Sequence, residues 1–126
     1  IKPVITESWV NYNSKGHSHH AHKHPNSITS GVYYIKCLKN DYMQFDKEKH
    51  HHIYVEPKGY DEYNADVWNF PVCTGDLLLF PSEISHSVLQ NNTDELRISL
   101  SFNTFVEGDI SLFRSKKLKL QLVYHG

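Results

Sequence analysis

The most regular pattern in the chain is an alternation of apolar and polar residues near its end. From position 96 to 102 every second residue is apolar, in the run Leu96-Arg97-Ile98-Ser99-Leu100-Ser101-Phe102. Successive side chains of a β-strand point to opposite faces, so the run predicts a strand with one apolar and one polar face. Turn-forming residues recur about every 8 to 12 positions and no stretch holds a helical period. The pattern therefore predicts an all-β sandwich or barrel.

The same reasoning places the other strands. A continuous apolar run follows the turn at Thr74-Gly75-Asp76, and such a run is typical of a strand buried on both faces. We assign Asp76 to that turn rather than to a metal site. Residues 47–69 are the least regular part. The predicted strands are Val4–Tyr12, His17–His24, Gly31–Cys37, Tyr42–Phe45, Ile53–Val55, Leu77–Phe80, Leu96–Phe102 and Lys117–Leu122.

The C-terminal strand carries leucines at alternate positions, Leu118, Leu120 and Leu122. Its other positions are charged or polar, which indicates a half-buried strand. These leucines must cover an apolar surface. That surface is either the apolar face of residues 96–102 or a partner subunit in a homodimer, and the sequence does not choose between them.

A candidate metal site comes from the segment His22-Lys23-His24-Pro25. On an extended strand His22 and His24 share a face, so both imidazoles can reach one ion. A third ligand must come from elsewhere, and His86 follows the apolar strand after Pro81. Three histidines leave coordination positions open for chemistry. Ten of the 126 residues are histidine, so a chance His-x-His pair is the competing explanation.

The polar face of residues 96–102 adds a candidate anion site. A hairpin turning at Asn92-Thr93 would bring Arg97 and Ser99 opposite His86 across one strand pair. The planar guanidinium of Arg97 suits a carboxylate, so a dicarboxylate bound to the metal at one end could reach Arg97 with the other. A surface arginine is the simpler alternative.

Composition excludes several partners. The net charge is −1 and the pI about 6.9, so neither nucleic acid nor an anionic membrane is an expected partner. No apolar run approaches the roughly 20 residues of a membrane-spanning helix. Two cysteines, Cys37 and Cys73, suit free thiols in a reducing compartment, which predicts a cytoplasmic protein. The length predicts a single domain over residues 1–126.

The irregular middle segment is a candidate substrate-binding region, because binding residues often lie on loops. His50, His51 and His52 could contact a substrate, although a solvated loop is the commoner explanation for such a cluster. Candidate aromatic contacts are Tyr54, Tyr60, Tyr63 and Trp68.

Taken together, residues 7 to 104 resemble the 2-oxoglutarate- and Fe(II)-dependent dioxygenase superfamily, and within it a small bacterial and phage branch. The motifs occur in the expected order. They are Ser8-Trp9-Val10-Asn11, Gly16, His22-Lys23-His24-Pro25-Asn26-Ser27, Ser30-Gly31-Val32-Tyr33-Tyr34, Gly75-Asp76-Leu77-Leu78-Leu79-Phe80-Pro81-Ser82, His86 and Arg97-Ile98-Ser99-Leu100-Ser101-Phe102-Asn103.

The resemblance implies a double-stranded β-helix, the cupin-like jelly roll, with iron held by His22 and His86. It also implies that Arg97 pairs with the distal carboxylate of 2-oxoglutarate, helped by Ser99 and Tyr34, with Asn11 lining the same pocket. The implied reaction couples decarboxylation of 2-oxoglutarate by O2 to hydroxylation of a C–H bond. A protein side chain, such as a prolyl residue, is one candidate substrate by analogy with the fold.

One residue departs from the superfamily pattern. Most members have His-x-Asp or His-x-Glu, whereas the third position here is His24, so the site has one negative charge fewer. We expect His24 to remain a ligand because it shares a face with His22. Two alternatives stay open: a three-histidine cupin-type metalloenzyme without 2-oxoglutarate, and a non-catalytic jelly-roll binding module.

Overall fold

Nine β-strands make up the secondary structure of the described residues. The computed structural model describes residues 1–47, 56–61, 63–110 and 118–123. The strands are β1 Lys2–Asn13, β2 His19–His22, β3 Thr29–Lys36, β4 Tyr42–Asp46, β5 Val67–Pro71, β6 Leu77–Pro81, β7 His86–Val88, β8 Arg97–Ile110 and β9 Leu118–Leu120. No helix occurs in these ranges, so none could span a membrane there.

The strands form two antiparallel sheets. The first has the order β1-β8-β3-β6, and β9 pairs with the end of β8. The second has the order β2-β7-β4-β5. Most neighbouring strands are far apart in sequence, such as β1 and β8 or β2 and β7, as in a jelly roll. The all-β fold predicted from the sequence is confirmed.

Most predicted strands occur within a few residues of their expected ends. β8 is longer than predicted, because it continues beyond Phe102 and pairs with β1 as far as Glu107, which lies opposite Lys2. β5 was not predicted, since its sequence lies in the irregular middle segment. The predicted strand Ile53–Val55 lies outside the described residues.

The interior of the protein is unusually polar. Among the described residues, five apolar side chains are buried, those of Val32, Tyr34, Met43, Val72 and Phe80. The polar face of β8 points inward, where its side chains are at most 9% exposed; they are those of Arg97, Ser99, Ser101 and Asn103. Buried polar groups need hydrogen-bond partners. An interior of this kind is therefore built around a polar site rather than around a purely apolar core.

The outer face of the first sheet is correspondingly apolar. Leu77 and Leu79 are both 55% exposed, so the prediction that residues 77–80 are buried on both faces is wrong. β6 lies at the edge of one sheet in a two-layer fold, so only one of its faces meets the other sheet. The side chains on that inward face are Leu78 and Phe80. The strand β9 pairs with Gly108–Ile110, at the far end of β8 from residues 97–102. A homodimer through an apolar face stays a prediction.

Glycine is required at position 31, where β3 pairs with β8. A Cβ atom at Gly31 would lie 2.2 Å from the ring of Phe102, its partner across the strands. Phe102 therefore packs directly on the β3 backbone. This contact holds β8 against β3 at the level where the polar side chains of both strands meet inside.

Candidate metal and 2-oxoglutarate site

Three imidazoles converge between the two sheets. The ring centroids of His22 and His86 are 4.5 Å apart, those of His22 and His24 are 5.0 Å apart, and those of His24 and His86 are 5.1 Å apart. One nitrogen of each ring lies within 4.8 Å of the others. The structure thus brings together all three predicted ligands.

His24 joins the cluster from outside a strand, whereas the sequence predicted that it shares a strand face with His22. The strand β2 ends at His22, so His24 does not share a strand face with it. Its backbone N–H instead donates to the carbonyl oxygen of Ser82 at 3.1 Å. This bond ties the segment after β2 to the first sheet, beyond the end of β6, and turns the His24 side chain toward His86.

The donor set fits a divalent transition ion. The Nε2 atoms of His24 and His86 are 3.3 Å apart. Two nitrogens bound about 2.1 Å from an ion at angles between 90° and 110° are roughly 3.0–3.4 Å apart. His22 and His86 each donate Nδ1–H to a backbone carbonyl, of His20 at 2.7 Å and Ile84 at 3.0 Å. This leaves the Nε2 lone pair of both rings available for a metal.

Burial favours the neutral form of two of the three histidines, His24 and His86. Desolvation lowers the pKa of His86 to about 4, although its hydrogen bond to Ile84 acts in the opposite direction. Burial also lowers the pKa of His24, and the neighbouring His22 adds to this effect. Neutral imidazoles are the form that binds metal, so burial favours the metal-binding charge state of His24 and His86.

Arg97 lies in the same cavity as the histidines, but it is already paired. Its Nε–H donates to Asp41 Oδ2 at 2.7 Å and its Nη2 to Asp41 Oδ1 at 2.5 Å. Nη1 donates to the carbonyl of Leu89 at 3.3 Å. Both partners of the ion pair are almost fully buried. Asp41 was missed by sequence reasoning, because a turn aspartate gives no signal of a distant arginine.

Arg97 retains two donors after these contacts. A guanidinium has five N–H groups, and the three bonds above use the edge at Nε and one hydrogen of Nη1. One hydrogen remains on each Nη nitrogen after these contacts with the described residues. Such a pair can hold a carboxylate with two parallel hydrogen bonds.

The position of Arg97 relative to His86 also differs from the prediction. β7 and β8 lie in different sheets, β7 between β2 and β4 and β8 between β1 and β3. Residues 89–96 therefore cross between the sheets and do not form a hairpin loop. Arg97 and Ser99 share a cavity with His86 across the sandwich, not across one strand pair.

The remaining predicted residues line this cavity too. Tyr34 and Ser99 are buried, and Asn11 donates from Nδ2 to Ser101 Oγ at 2.9 Å. Burial, helped by the charge of Asp41, raises the pKa of Tyr34. The phenol therefore stays protonated and can donate a hydrogen bond to an anion.

Sequence reasoning missed several cavity residues. Asn13 and His19 line it near Arg97, with Asn13 Nδ2 2.8 Å from His19 Nε2. Asn103 continues the inward alternation of β8, so the period-two pattern could have identified it. Its amide lies 3.3 Å from His24 Nδ1 and 2.6 Å from Glu7 Oε1.

Other candidates lie away from the site. Asp76 accepts from the backbone N–H of Cys73 at 2.8 Å, as expected for a turn residue. Cys37 and Cys73 are free thiols, and burial raises the pKa of Cys37 to about 11. Tyr60 and Tyr63 are exposed. His50–His52 and Tyr54 lie outside the described residues.

An apolar groove adjoins the histidine cavity and lies between the edge strands β5 and β6. It has a volume of about 410 Å³ and is lined by Trp68, Phe70, Phe45, Phe80 and Leu78, among others. Phe80 also lines the histidine cavity, and its ring centroid is 4.6 Å from that of His86. One aromatic side chain therefore separates the groove from the candidate metal site.

The fold and the site indicate a class: jelly-roll proteins with a cluster of histidines inside the barrel that could hold a metal ion. Residues 7–103 match the family described as "Putative 2OG-Fe(II) oxygenase", so the chain belongs to this 2-oxoglutarate–Fe(II) oxygenase family. No curated protein of known function matches the sequence significantly.

Solved structures agree with this fold. An oxidoreductase of the 2OG-Fe(II) oxygenase family from Burkholderia pseudomallei superposes with a TM-score of 0.60 at 14% identity, covering 82% of this chain and 45% of its own. The non-heme monooxygenase ThoJ, in complex with nickel, gives 0.59 at 15% identity, covering 90% and 52%. The chain spans about half the length of these neighbours.

Proposed function

We propose that this chain is the oxygenase domain of a 2-oxoglutarate- and Fe(II)-dependent hydroxylase. The observation that carries the proposal is the convergence, in one cavity, of three imidazoles and an arginine that keeps two donors beyond its contacts with the described residues. His22, His24 and His86 would hold the iron. Arg97, Ser99, Tyr34 and Asn11 would hold 2-oxoglutarate.

Bound iron would supply the oxidative chemistry, in which O2 converts 2-oxoglutarate to succinate and carbon dioxide and a substrate C–H bond becomes C–OH. The protein residues bind and orient. Tyr34 donates from a neutral phenol, and Arg97 donates from the two remaining N–H groups of its guanidinium. Asp41 cancels the charge of Arg97, so a carboxylate at this position binds through directed hydrogen bonds rather than through net charge.

The aromatic rings behind the histidines exclude water. Phe80 packs against His86, and Phe45 packs against Phe80 with ring centroids 5.2 Å apart. Excluding water strengthens the polar interactions inside the site and protects a reactive intermediate from side reactions. The aromatic pair thereby supports a cavity suited to oxidation.

The proposal extends to the substrate and the compartment. We assign the groove beside Trp68 to the primary substrate, because its apolar lining adjoins His86 through Phe80. A protein side chain is one candidate substrate. O2 and 2-oxoglutarate are the co-substrates. The two free thiols support a cytoplasmic location.

A single experiment tests the central proposal. Anaerobic addition of 2-oxoglutarate to the Fe(II)-loaded protein should give a weak metal-to-ligand charge-transfer band in the visible range. Succinate has no 2-oxo acid group to chelate the metal and serves as the control. Iron loading without the band would favour the three-histidine cupin-type enzyme, and failure to load iron would favour a non-catalytic module.

A further inference from the structure

The hydrogen bonds around His24 have a direction that is fixed at both ends. At one end Glu7, which as a carboxylate only accepts, lies 2.6 Å from Asn103 Nδ2. At the other end the carbonyl of Ile84 accepts from His86 Nδ1. A carboxylate and a carbonyl cannot donate, so the groups between them must donate toward the two ends.

His24 lies between these ends, and its proton follows from them. The amide nitrogen of Asn103 faces Glu7 and also faces His24 Nδ1, at 3.3 Å. His24 Nδ1 must therefore accept, which places the ring proton of a neutral His24 on Nε2. That N–H faces the free Nε2 of His86 at 3.3 Å. The proton thus lies where a metal would bind.

The other side of Asn103 supports this orientation. Its Oδ1 accepts from Ser30 Oγ at 2.7 Å. Ser30 Oγ lies 2.8 Å from Ser82 Oγ, which in turn lies 2.7 Å from Ser27 Oγ. Asn103 and Ser82 are at most 2% exposed. Buried groups of this kind are costly to leave unpaired, so the amide orientation is well determined.

We propose that Asn103, oriented by Glu7, is the positioning residue that decides whether His24 can be the third metal ligand. This inference rests on the proposed metal role of the three histidines. Coordination through His24 Nε2 requires the ring proton to move to Nδ1, with no change in the charge of the ring. The new Nδ1–H needs an acceptor, which Asn103 provides when its amide turns over.

The turned amide keeps a partner for His24 and for each buried hydroxyl, but it gives only one of the two Asn103 N–H groups an acceptor, which is why the orientation of this structure is preferred in the metal-free protein. Asn103 Nδ2 then donates to Ser30 Oγ, and the hydroxyls of Ser30, Ser82 and Ser27 rotate to donate in sequence, ending at the carbonyl of Thr104, 3.0 Å from Ser27 Oγ. Glu7 loses its donor, but it is exposed and can turn to water. In the orientation of this structure, two histidines offer lone pairs and the third offers a proton.

The test is nitrogen NMR of the histidine rings with zinc as the only added ligand. In the metal-free protein His24 should carry its proton on Nε2, whereas His22 and His86 carry theirs on Nδ1. Zinc should shift His24 to the Nδ1–H form. A metal-free His24 already protonated on Nδ1, or a His24 tautomer unchanged by bound zinc, would overturn the proposal.

A charge-matched variant tests the direction of the hydrogen bond between residue 103 and His24 without changing the total charge of the protein. The double variant Glu7→Gln/Asn103→Asp moves one carboxylate from position 7 to position 103 and keeps the total charge. Aspartate can only accept, so the metal-free variant should show Nδ1–H at His24 and bind zinc about tenfold more tightly. Unchanged zinc affinity with an unchanged tautomer would contradict the proposal.

The test depends neither on the variant alone nor on turnover. If the double variant does not fold, the native NMR experiment alone decides the matter. Neither experiment involves iron, 2-oxoglutarate or turnover. A protein that shows the zinc-driven tautomer change but gives no charge-transfer band would retain this inference and lose the proposed oxygenase activity.

Discussion

The ion pair between Arg97 and Asp41 gives the sharpest prediction. Both side chains are at most 7% exposed, and the carboxylate of Asp41 also accepts from the backbone N–H groups of Leu38 and Tyr42. Replacing Arg97 by methionine keeps an unbranched apolar stem but removes the guanidinium, and so leaves Asp41 buried without its cation. Breaking a buried pair by removing one partner costs about 3–5 kcal/mol.

The same argument predicts strong coupling between the two positions. Asp41→Asn alone leaves a buried guanidinium without its anion, at a similar cost. In the double variant Arg97→Met/Asp41→Asn no charge remains buried, so its loss of stability should be smaller than the two single losses combined by at least about 2 kcal/mol. Urea unfolding of the metal-free proteins measures all four free energies.

The double variant also allows a clean test of 2-oxoglutarate binding. It lacks the guanidinium but avoids the unpaired charge that would complicate Arg97→Ala or Arg97→Met. We expect it to retain metal and to lose at least about 2 kcal/mol of 2-oxoglutarate affinity, roughly 30-fold, by calorimetry. Asp41→Asn, which keeps Arg97, is the matched control and should still bind.

Two results would contradict these predictions, one for the stability of the ion pair and one for the role of Arg97 in binding 2-oxoglutarate. A loss below about 1 kcal/mol in Arg97→Met would mean that the pair behaves like an exposed one. Native 2-oxoglutarate affinity in the double variant would remove Arg97 as the anchor, whatever the stability data show.

Three further predictions follow from the site and the sheet contact. His86→Ala should abolish tight zinc binding, measured by calorimetry. His17→Ala removes an exposed histidine outside the cluster and should leave zinc binding unchanged. The folded protein keeps the pKa of His86 at about 4 and the unfolded chain protonates it near 6.5, so this histidine stabilises the metal-free protein above that pH. Its contribution should be lost between pH 6.5 and 4, by up to roughly 3 kcal/mol in urea titrations, and His86→Gln should remove that slope. Gly31→Ala should cost about 1–3 kcal/mol because its Cβ meets Phe102, and Phe102→Leu should recover part of the loss.

The sequence alone determined the strand pattern and the identity of the main site residues. The alternation of residues 96–102 predicted that Arg97 and Ser99 share one polar face, and both side chains are buried on it. It predicted that face because side-chain direction in a strand depends only on the period of two. Asn103 is the next residue on the same face, two positions after Ser101, and it is buried as well.

The tertiary structure decided what those residues contact. The pairing of Arg97 with Asp41 and of His24 with Asn103 joins residues 56 and 79 positions apart. No local pattern encodes such contacts, since they depend on how two sheets are stacked. The same stacking exposes Leu77 and Leu79 and turns the expected hairpin into a crossover, because the layer in which a strand lies is decided by its partners and not by its own sequence.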